Sequence, residues 1–170
     1  IASLIPVDPD LAEEVVEGLS VLFRASLNKA TSVPVSLEDE IDLCRKYLHI
    51  EGLRLDDRLK VEWQVEADPS DLRIPLLTLQ PLLENAIYHG IQPLPKGGTV
   101  TVNLRSEDGQ VKITIINPVS DKGSSHASGN RMAMENIRNR MYVIYGPGTS
   151  LTTETLENGY ITRLIYPKIA

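Results

Sequence analysis

The first third of the chain carries two stretches in which hydrophobic residues recur every three or four positions, the period of an amphipathic helix. The first stretch follows Asp8-Pro9, a pair that suits a helix start, and its apolar face is formed by Leu11, Val15, Leu19 and Leu22. The second follows Ser36, which has an acid three residues later as in a capping box, and its apolar face is formed by Ile41, Cys44, Leu48 and Leu55. Two amphipathic helices in succession predict an antiparallel helical hairpin over residues 1–56.

From residue 60 onward the hydrophobic period changes to two, which is typical of half-buried strands. The strands predicted in this way are 61–65, 100–104, 111–115, 149–156 and 160–166. Helical periodicity returns over 77–90 and 132–145. Hairpin turns are predicted at Glu107-Asp108-Gly109 and Asn158-Gly159, with a long loop over 117–130. The order β-α-β-β-α-β-β predicts one mixed sheet covered on a single face by two helices.

The predicted helix over 77–90 has an unusual polar side. At about 100° per residue, its apolar stripe is formed by Leu76, Leu79, Leu83, Ala86 and Ile87. The opposite row contains Thr78, Pro81, Asn85 and His89, with Glu84 beside it. Asparagine inside a helix is mildly unfavourable, and its amide oxygen is a good ligand for Mg²⁺. Asn85 and His89 therefore form either a ligand site or a solvated helix end before Gly90, and the period alone leaves both open.

Composition removes several classes of function. The formal net charge of −6 argues against a nucleic-acid-binding surface, which normally shows a basic stripe. The single cysteine, Cys44, excludes an internal disulfide framework and a cysteine-based zinc site, and a reducing compartment is expected. No apolar run approaches the ~18 residues of a membrane span. The chain begins at Ile1 without methionine, so we expect it to be a piece of something longer.

The segment LQPLLENAIYHGI, residues 79–91, resembles the N-box of the sensor histidine kinases of the LytS/YehU type. The second predicted helix, with Tyr47-Leu48-His49-Ile50-Glu51 followed by Arg54, is also similar to a helix of that family. The resemblance extends over nearly the whole chain and implies a Bergerat (GHKL) α/β fold. This is a two-layer sandwich with a mixed β-sheet covered on one face by helices and preceded by the helical hairpin. It further implies that 1–56 are a remnant of the dimerisation and phosphotransfer helices and that 57–170 form the ATP-binding catalytic domain.

The same resemblance implies a nucleotide site. Its catalytic centre is expected at Glu84, Asn85 and His89, with Asn85 as the Mg²⁺ ligand and both Asn85 and His89 in contact with the nucleotide. Asn117 stands where the family has an adenine-reading aspartate, and Tyr160 stands where it has a threonine near adenine. The other nucleotide-binding positions belong to a glycine-rich lid and to the helix after it. Of the three glycines typical of that lid, this chain has only the first. The positions are Gly129, Arg131, Met132, Ala133 and Asn136. Two basic residues of that helix either contact phosphate or form a solvated face: Arg138 and Arg140.

The function implied by the resemblance is that of the cytoplasmic catalytic part of a two-component sensor histidine kinase. It would transfer the γ-phosphoryl group of ATP, with Mg²⁺, to a histidine upstream of Ile1, and His49 is not expected to be the acceptor. The expected partners are ATP, a response regulator of the LytTR type and a second copy in the full-length protein. An inner-membrane anchor is expected only in the missing upstream segment, and no nucleic-acid partner is expected.

Two other functions remain beside this one. The departures at Asn117, Arg131, Ala133 and Tyr160 favour a pseudokinase signalling or scaffold module with weak or no nucleotide binding. The intact Glu84, Asn85 and His89 favour the kinase. A different Bergerat ATPase, of the chaperone or mismatch-repair type, is disfavoured by the family-like helix pair that precedes the sheet.

Overall fold

The structure, a computed structural model, describes residues 5–27, 33–119 and 128–169, and within them every side chain except those of 22, 25–27 and 128–131. Helix α1 spans Pro9–Leu27 and packs against helix α2, which spans Leu37–Leu55. Asp8 Oδ1 accepts a 3.0 Å bond from Leu11 N–H at the start of α1, and Ser36 Oγ accepts a 3.1 Å bond from Asp39 N–H at the start of α2. The predicted helix pair and both predicted caps are therefore confirmed.

The remaining elements form two sheets and two more helices. The strands are β1 (Pro34–Ser36), β2 (Leu59–Val65), β3 (Arg73–Pro75), β4 (Gly98–Glu107), β5 (Gln110–Pro118), β6 (Ser150–Leu156) and β7 (Gly159–Pro167). The helices are α3 (Leu79–Ala86) and α4 (Ser128–Tyr145). The main sheet has the order β2-β4-β5-β7-β6, with β2 parallel to β4 and the other neighbours antiparallel. The predicted mixed sheet is confirmed.

Strands β1 and β3 pair as a separate antiparallel ribbon that hydrophobic periodicity did not predict. Each strand is only three residues long, which is too short to show a period of two. The ribbon ties the segment before α2 to the segment before α3. It therefore fixes the starts of two helices next to each other.

Helices cover one face of the main sheet, as predicted. The buried side chains on that face of β4 and β5 are Val100, Val102, Leu104, Val111, Ile113 and Ile115. Helix α3 packs on β5 and α4 packs on β6 and β7, while α2 also packs on β2. Helix α2 also contributes buried side chains to the same core, so the hairpin and the sandwich share one core. The division at residue 56 stays a prediction, although the buried core runs continuously across it through Leu48, Leu55 and Leu72.

Two predicted boundaries differ from the structure. Leu156 pairs with Gly159, so the last hairpin turns at Glu157 and Asn158 instead of at Asn158-Gly159. Strand β5 continues through Pro118 and α4 begins at Ser128, so both ends of the predicted 117–130 loop were wrong. Residues 120–127 lie outside the described part of the chain. Among the helices that the structure describes, none is long and apolar enough to cross a membrane.

A buried carboxylate joins α2 to the start of α3. Glu40 has no exposed surface, and its Oε1 accepts bonds from the backbone N–H groups of Thr78 and Leu79 at 2.9 and 2.8 Å and of Gln80 at 3.3 Å. Its Oε2 accepts a fourth bond, of 2.9 Å, from Leu77 N–H. Burial raises the pKa of Glu40, and the four N–H bonds oppose that rise. The carboxylate thus satisfies the N–H groups that the first turn of a helix leaves without partners.

A guanidinium from α4 completes the same junction from the other side. Arg140 donates from Nη1 to Leu76 O at 3.0 Å and from Nη2 to Leu77 O at 2.8 Å. Nη2 also donates to Thr78 Oγ1 at 2.8 Å, and that hydroxyl donates to Pro75 O at 2.6 Å. The turn before α3 therefore points its N–H groups at α2 and its carbonyl groups at α4.

Replacement of Glu40 by glutamine tests this junction. Glu40→Gln keeps the shape of the side chain but places an NH₂ group against a backbone N–H donor. We expect the free energy of unfolding to fall by about 3 kcal/mol, since a buried donor loses its acceptor. Chemical denaturation measures the loss, and Glu38→Gln, an exposed change in the same helical turn, should have almost no effect. Equal stability of the two variants would contradict a structural role for the Glu40 carboxylate.

Candidate functional site

Helix α3 presents one apolar and one polar side, as predicted. Its buried residues are Leu79, Leu82, Leu83 and Ala86. The residues assigned to the polar row and to the apolar stripe were wrong at the start of the helix. Thr78 precedes the first turn and is completely buried in the Arg140 junction, so it does not belong to the polar row. Leu76 is only half-buried and lies in the turn before the helix.

A π turn over Ile87–Ile91 continues α3. Gln92 N–H donates to Ile87 O, five residues back, at 3.0 Å. Such wide turns inside helices are frequent at functional sites because they re-aim side chains. Here the turn keeps His89 on the side of Asn85 and brings Gln92 to that side as well. The His89 ring also makes an edge contact with Tyr88, with 4.9 Å between ring centroids.

An open cleft of about 520 Å³ lies between α2 and the α3 segment. Four of the predicted site residues line it together: Glu84, Asn85, His89 and Ala133. Six residues that were not predicted for the site complete the lining: Tyr47, Glu51, Arg54, Pro81, Tyr88 and Gln92. The cleft is therefore built from both the hairpin and the sandwich.

The three residues that α2 contributes to the cleft already show helical spacing in the sequence. Tyr47, Glu51 and Arg54 are four and three residues apart, which places them on one face of a helix. These residues served only to support the family resemblance, and the sequence offers no local sign that their face meets the polar row of α3. The helix packing that joins the two faces was the missing information.

The chemistry of the lining fits a magnesium-bound polyphosphate. The Asn85 amide supplies a neutral oxygen, and Glu84 lies one position away with its Oε1 accepting a 2.9 Å bond from Gln80 Nε2. Within the described ranges, no group of three or more His, Cys, Asp or Glu residues is arranged to hold a metal. Mg²⁺ usually takes one or two protein ligands and completes its shell with substrate phosphate and water, so a single amide oxygen suits it. Burial, reinforced by Glu51, raises the pKa of Tyr47, so this phenol remains a hydrogen-bond donor.

Asn117 and Tyr160 do not line the cleft, and Asn117 lies behind the π turn. Asn117 is 3% exposed, and its Nδ2 donates to Pro118 O at 2.8 Å. Tyr160 is its cross-strand partner in the pairing of β5 with β7. Gly90 lets the π turn approach Asn117 and Pro118, because a Cβ at Gly90 would lie 2.8 Å from Pro118 O and in contact with the Asn117 amide.

The predicted lid positions separate along α4. Ala133 lines the cleft, whereas Met132 and Asn136 are exposed and do not. Gly129 lies in the first turn of the helix, and the side chain of Arg131 lies outside the described part of the structure. Arg138 lies on an exposed helix face, as one alternative predicted, whereas Arg140 follows neither alternative. Arg138 donates from Nη2 to Leu151 O at 3.0 Å, and Arg140 binds the turn before α3, so both guanidinium groups bind backbone carbonyls.

Comparison with known proteins shows which family this sequence matches. The sequence model described as histidine kinase matches residues 1–59. The sensor protein LytS of Oceanobacillus iheyensis is 30% identical over 98% of this chain. The chain belongs to the LytS-type sensor histidine kinases. It spans 31% of the length of that LytS protein.

Solved structures agree on the fold of this histidine kinase chain. The catalytic domain of histidine kinase ThkA superposes with a TM-score of 0.58 at 16% identity, covering 80% of this chain and 95% of that domain. Histidine kinase ThkA in complex with response regulator protein TrrA gives a TM-score of 0.56 at 13% identity, covering 98% of this chain and 51% of that one. The GHKL-like α/β fold implied by the sequence is confirmed.

Gly90 provides a test of the packing behind the cleft. Gly90→Ala should lower the free energy of unfolding by about 1–3 kcal/mol, because the new methyl group meets backbone and a confined amide. Gly52→Ala in α2 is the matched control, since a Cβ there meets nothing within 4 Å. This control should stabilise the chain by roughly 0.5–1 kcal/mol through helix propensity alone. Denaturation of both variants distinguishes close packing from a general effect of glycine replacement, and a stabilising Gly90→Ala would contradict the described approach.

Proposed function

We propose that this chain is the ATP-binding catalytic part of a two-component sensor histidine kinase. In this proposal, the γ-phosphoryl group of ATP passes to a histidine outside residues 1–170. The observation that supports it most directly is the cleft in which Glu84, Asn85 and His89 lie together against the α2 face. Family membership supplies the reaction class, and the cleft supplies residues suited to it.

Each lining group has a definite task in this proposal. The Asn85 amide oxygen would hold Mg²⁺, which would supply positive charge to the transferring phosphoryl group. Glu84, kept in place by Gln80, orders water around that metal position. The imidazole of His89 and the carboxamide of Gln92 offer hydrogen bonds to phosphate oxygens from one side of the cleft. Tyr47, as a donor, offers another from α2.

The partners follow from the family and are part of the proposal. A response regulator, of the LytTR type, accepts the phosphoryl group from the histidine. The full-length protein is a homodimer anchored in the inner membrane, and this chain lies on the cytoplasmic side. The solved complex of ThkA with TrrA supports a response regulator as partner.

One observation favours the pseudokinase alternative. Asn117 is almost completely buried and does not line the cleft, so an adenine base reaches little of its amide. A neutral amide also makes weaker hydrogen bonds than a carboxylate does. The kinase proposal therefore relies on phosphate and metal contacts more than on contacts to the base.

Nucleotide binding to the Asn85→Ala variant tests the proposal. A ligand at about 100 times its Kd stabilises a fold by roughly 2.7 kcal/mol, which corresponds to several degrees of melting temperature in a chain of this size. We expect such a shift with Mg-ATP in the wild type and a much smaller one in Asn85→Ala. Binding affinity should fall by about tenfold or more, by analogy with the loss of groups that support a metal.

A second asparagine serves as the control. Asn103 is half-buried on the opposite face of the sheet, away from the cleft, so Asn103→Ala should bind Mg-ATP as the wild type does. Removal of Mg²⁺ with EDTA should weaken ATP binding to the wild type and change ATP binding to Asn85→Ala very little. Equal affinities of Asn85→Ala and wild type for Mg-ATP would contradict the metal role of Asn85. Absence of any nucleotide binding in the wild type would contradict the kinase proposal and support the pseudokinase alternative.

A further inference from the structure

Arg54 is the single Lys or Arg side chain in the described lining of the cleft. It lies in the last turn of α2, on the same helical face as Tyr47 and Glu51, and lines the cleft together with Asn85 and His89. The acidic residues of the lining are Glu51 and Glu84, so the formal charge of the lining is −1 with His89 neutral. A polyphosphate entering this cleft therefore needs a cation from the protein in addition to its metal.

The geometry of the Arg54–Glu51 ion pair leaves part of the guanidinium available. Arg54 donates from Nε to Glu51 Oε2 at 3.2 Å and from Nη2 to the same oxygen. Nη1 takes no part in this ion pair. The Arg54 side chain is 53% exposed and the Glu51 side chain is 17% exposed, so the cation lies toward the opening and the carboxylate lies deeper.

We propose that Arg54 binds the phosphate groups of the nucleotide, and that Glu51 both orients its guanidinium and competes with phosphate for it. This inference rests on the proposed function, because it assigns a further binding residue to the same cleft. A planar guanidinium can bind two oxygens of one phosphate side by side, and such charge-assisted bonds are the strong ones. Phosphate reaches Nη1 of the guanidinium from the cleft, while the deeper carboxylate binds the other edge and partly neutralises the same cation.

The proposal makes the two members of one ion pair act in opposite directions. Arg54→Gln removes the cation and should weaken ATP binding by roughly tenfold to one-hundredfold. Glu51→Gln removes the competitor and one negative charge, and should strengthen ATP binding by about threefold. An ordinary surface ion pair would give no change in either variant, because such pairs contribute little. A purely structural pair would give a loss in both.

Titration calorimetry with ATP, ADP and adenosine, each in the presence of Mg²⁺, measures these effects on the chain itself. Arg54→Gln should lose affinity for ATP and ADP and keep its affinity for adenosine, which carries no phosphate. Thermal unfolding without nucleotide should be the same for wild type, Arg54→Gln and Glu51→Gln within roughly 0.5 kcal/mol, since both positions belong to an ion pair that is partly exposed.

Helix α2 provides a matched control pair. Arg45 donates from Nη1 to Asp42 at 3.4 Å with the same spacing of three residues, but Arg45 lies over the Trp63 ring and outside the cleft. Arg45→Gln and Asp42→Asn change the same charges on the same helix and should leave ATP affinity unchanged. An ATP affinity that follows net charge alone would fall in Arg45→Gln as in Arg54→Gln, and would overturn the proposal.

Failure of this inference is distinguishable from failure of the proposed function. If the wild type binds ATP in an Asn85-dependent manner and Arg54→Gln binds equally well, the Arg54 assignment is wrong and the function stands. A loss of ATP affinity in both Arg54→Gln and Glu51→Gln also overturns the assignment. If the wild type binds no nucleotide at all, the proposed function is wrong and the Arg54 assignment is withdrawn with it.

Discussion

The structure depends on how the turn before α3 is held. A helix begins with N–H groups that have no partner within the helix, and burying them without acceptors is costly. Here the Glu40 carboxylate accepts from four successive N–H groups, while Arg140 binds the carbonyls on the other side of the turn. Leu77, in the middle, has a φ of 58°, a left-handed conformation that is unfavourable for a branched side chain. The strain is tolerated because both charged groups hold the turn.

This junction also determines where the cleft can form. Helix α3 has only eight residues before its π turn, so its direction is set mostly by what holds its ends. The start is fixed to α2 and α4 through Glu40 and Arg140. The far end is fixed because Gly90 lets the π turn approach Asn117 and Pro118 on β5. The polar side of α3 between these two points has no freedom to rotate, and Asn85 therefore faces α2.

Sequence patterns predicted the elements of this site better than their connections. The polar row of Asn85 and His89 was visible from the helical period, and the family resemblance gave it a chemical meaning. The role of Glu40 was not visible, because its partners are backbone N–H groups 37 to 40 residues away that carry no signature in the side chains. For the same reason Arg140 was interpreted as a phosphate ligand or a solvated residue when it binds carbonyls. Thr78 was misplaced because a period of 3.6 continues through the turn that precedes the helix.

The cleft joins two parts of the chain, of which the histidine kinase family model matches only the first. The histidine kinase match ends at residue 59, so it contains Tyr47, Glu51 and Arg54 but not Asn85 or His89. Because α2 supplies one wall of the cleft and, through Glu40, fixes the helix that supplies the other, a shift of α2 would change both walls at once. A ligand bound between the two walls would in turn favour one position of α2, since a ligand stabilises the conformation to which it binds most tightly. If a nucleotide binds in this cleft as proposed, its binding is physically linked to α2 without any long-range pathway.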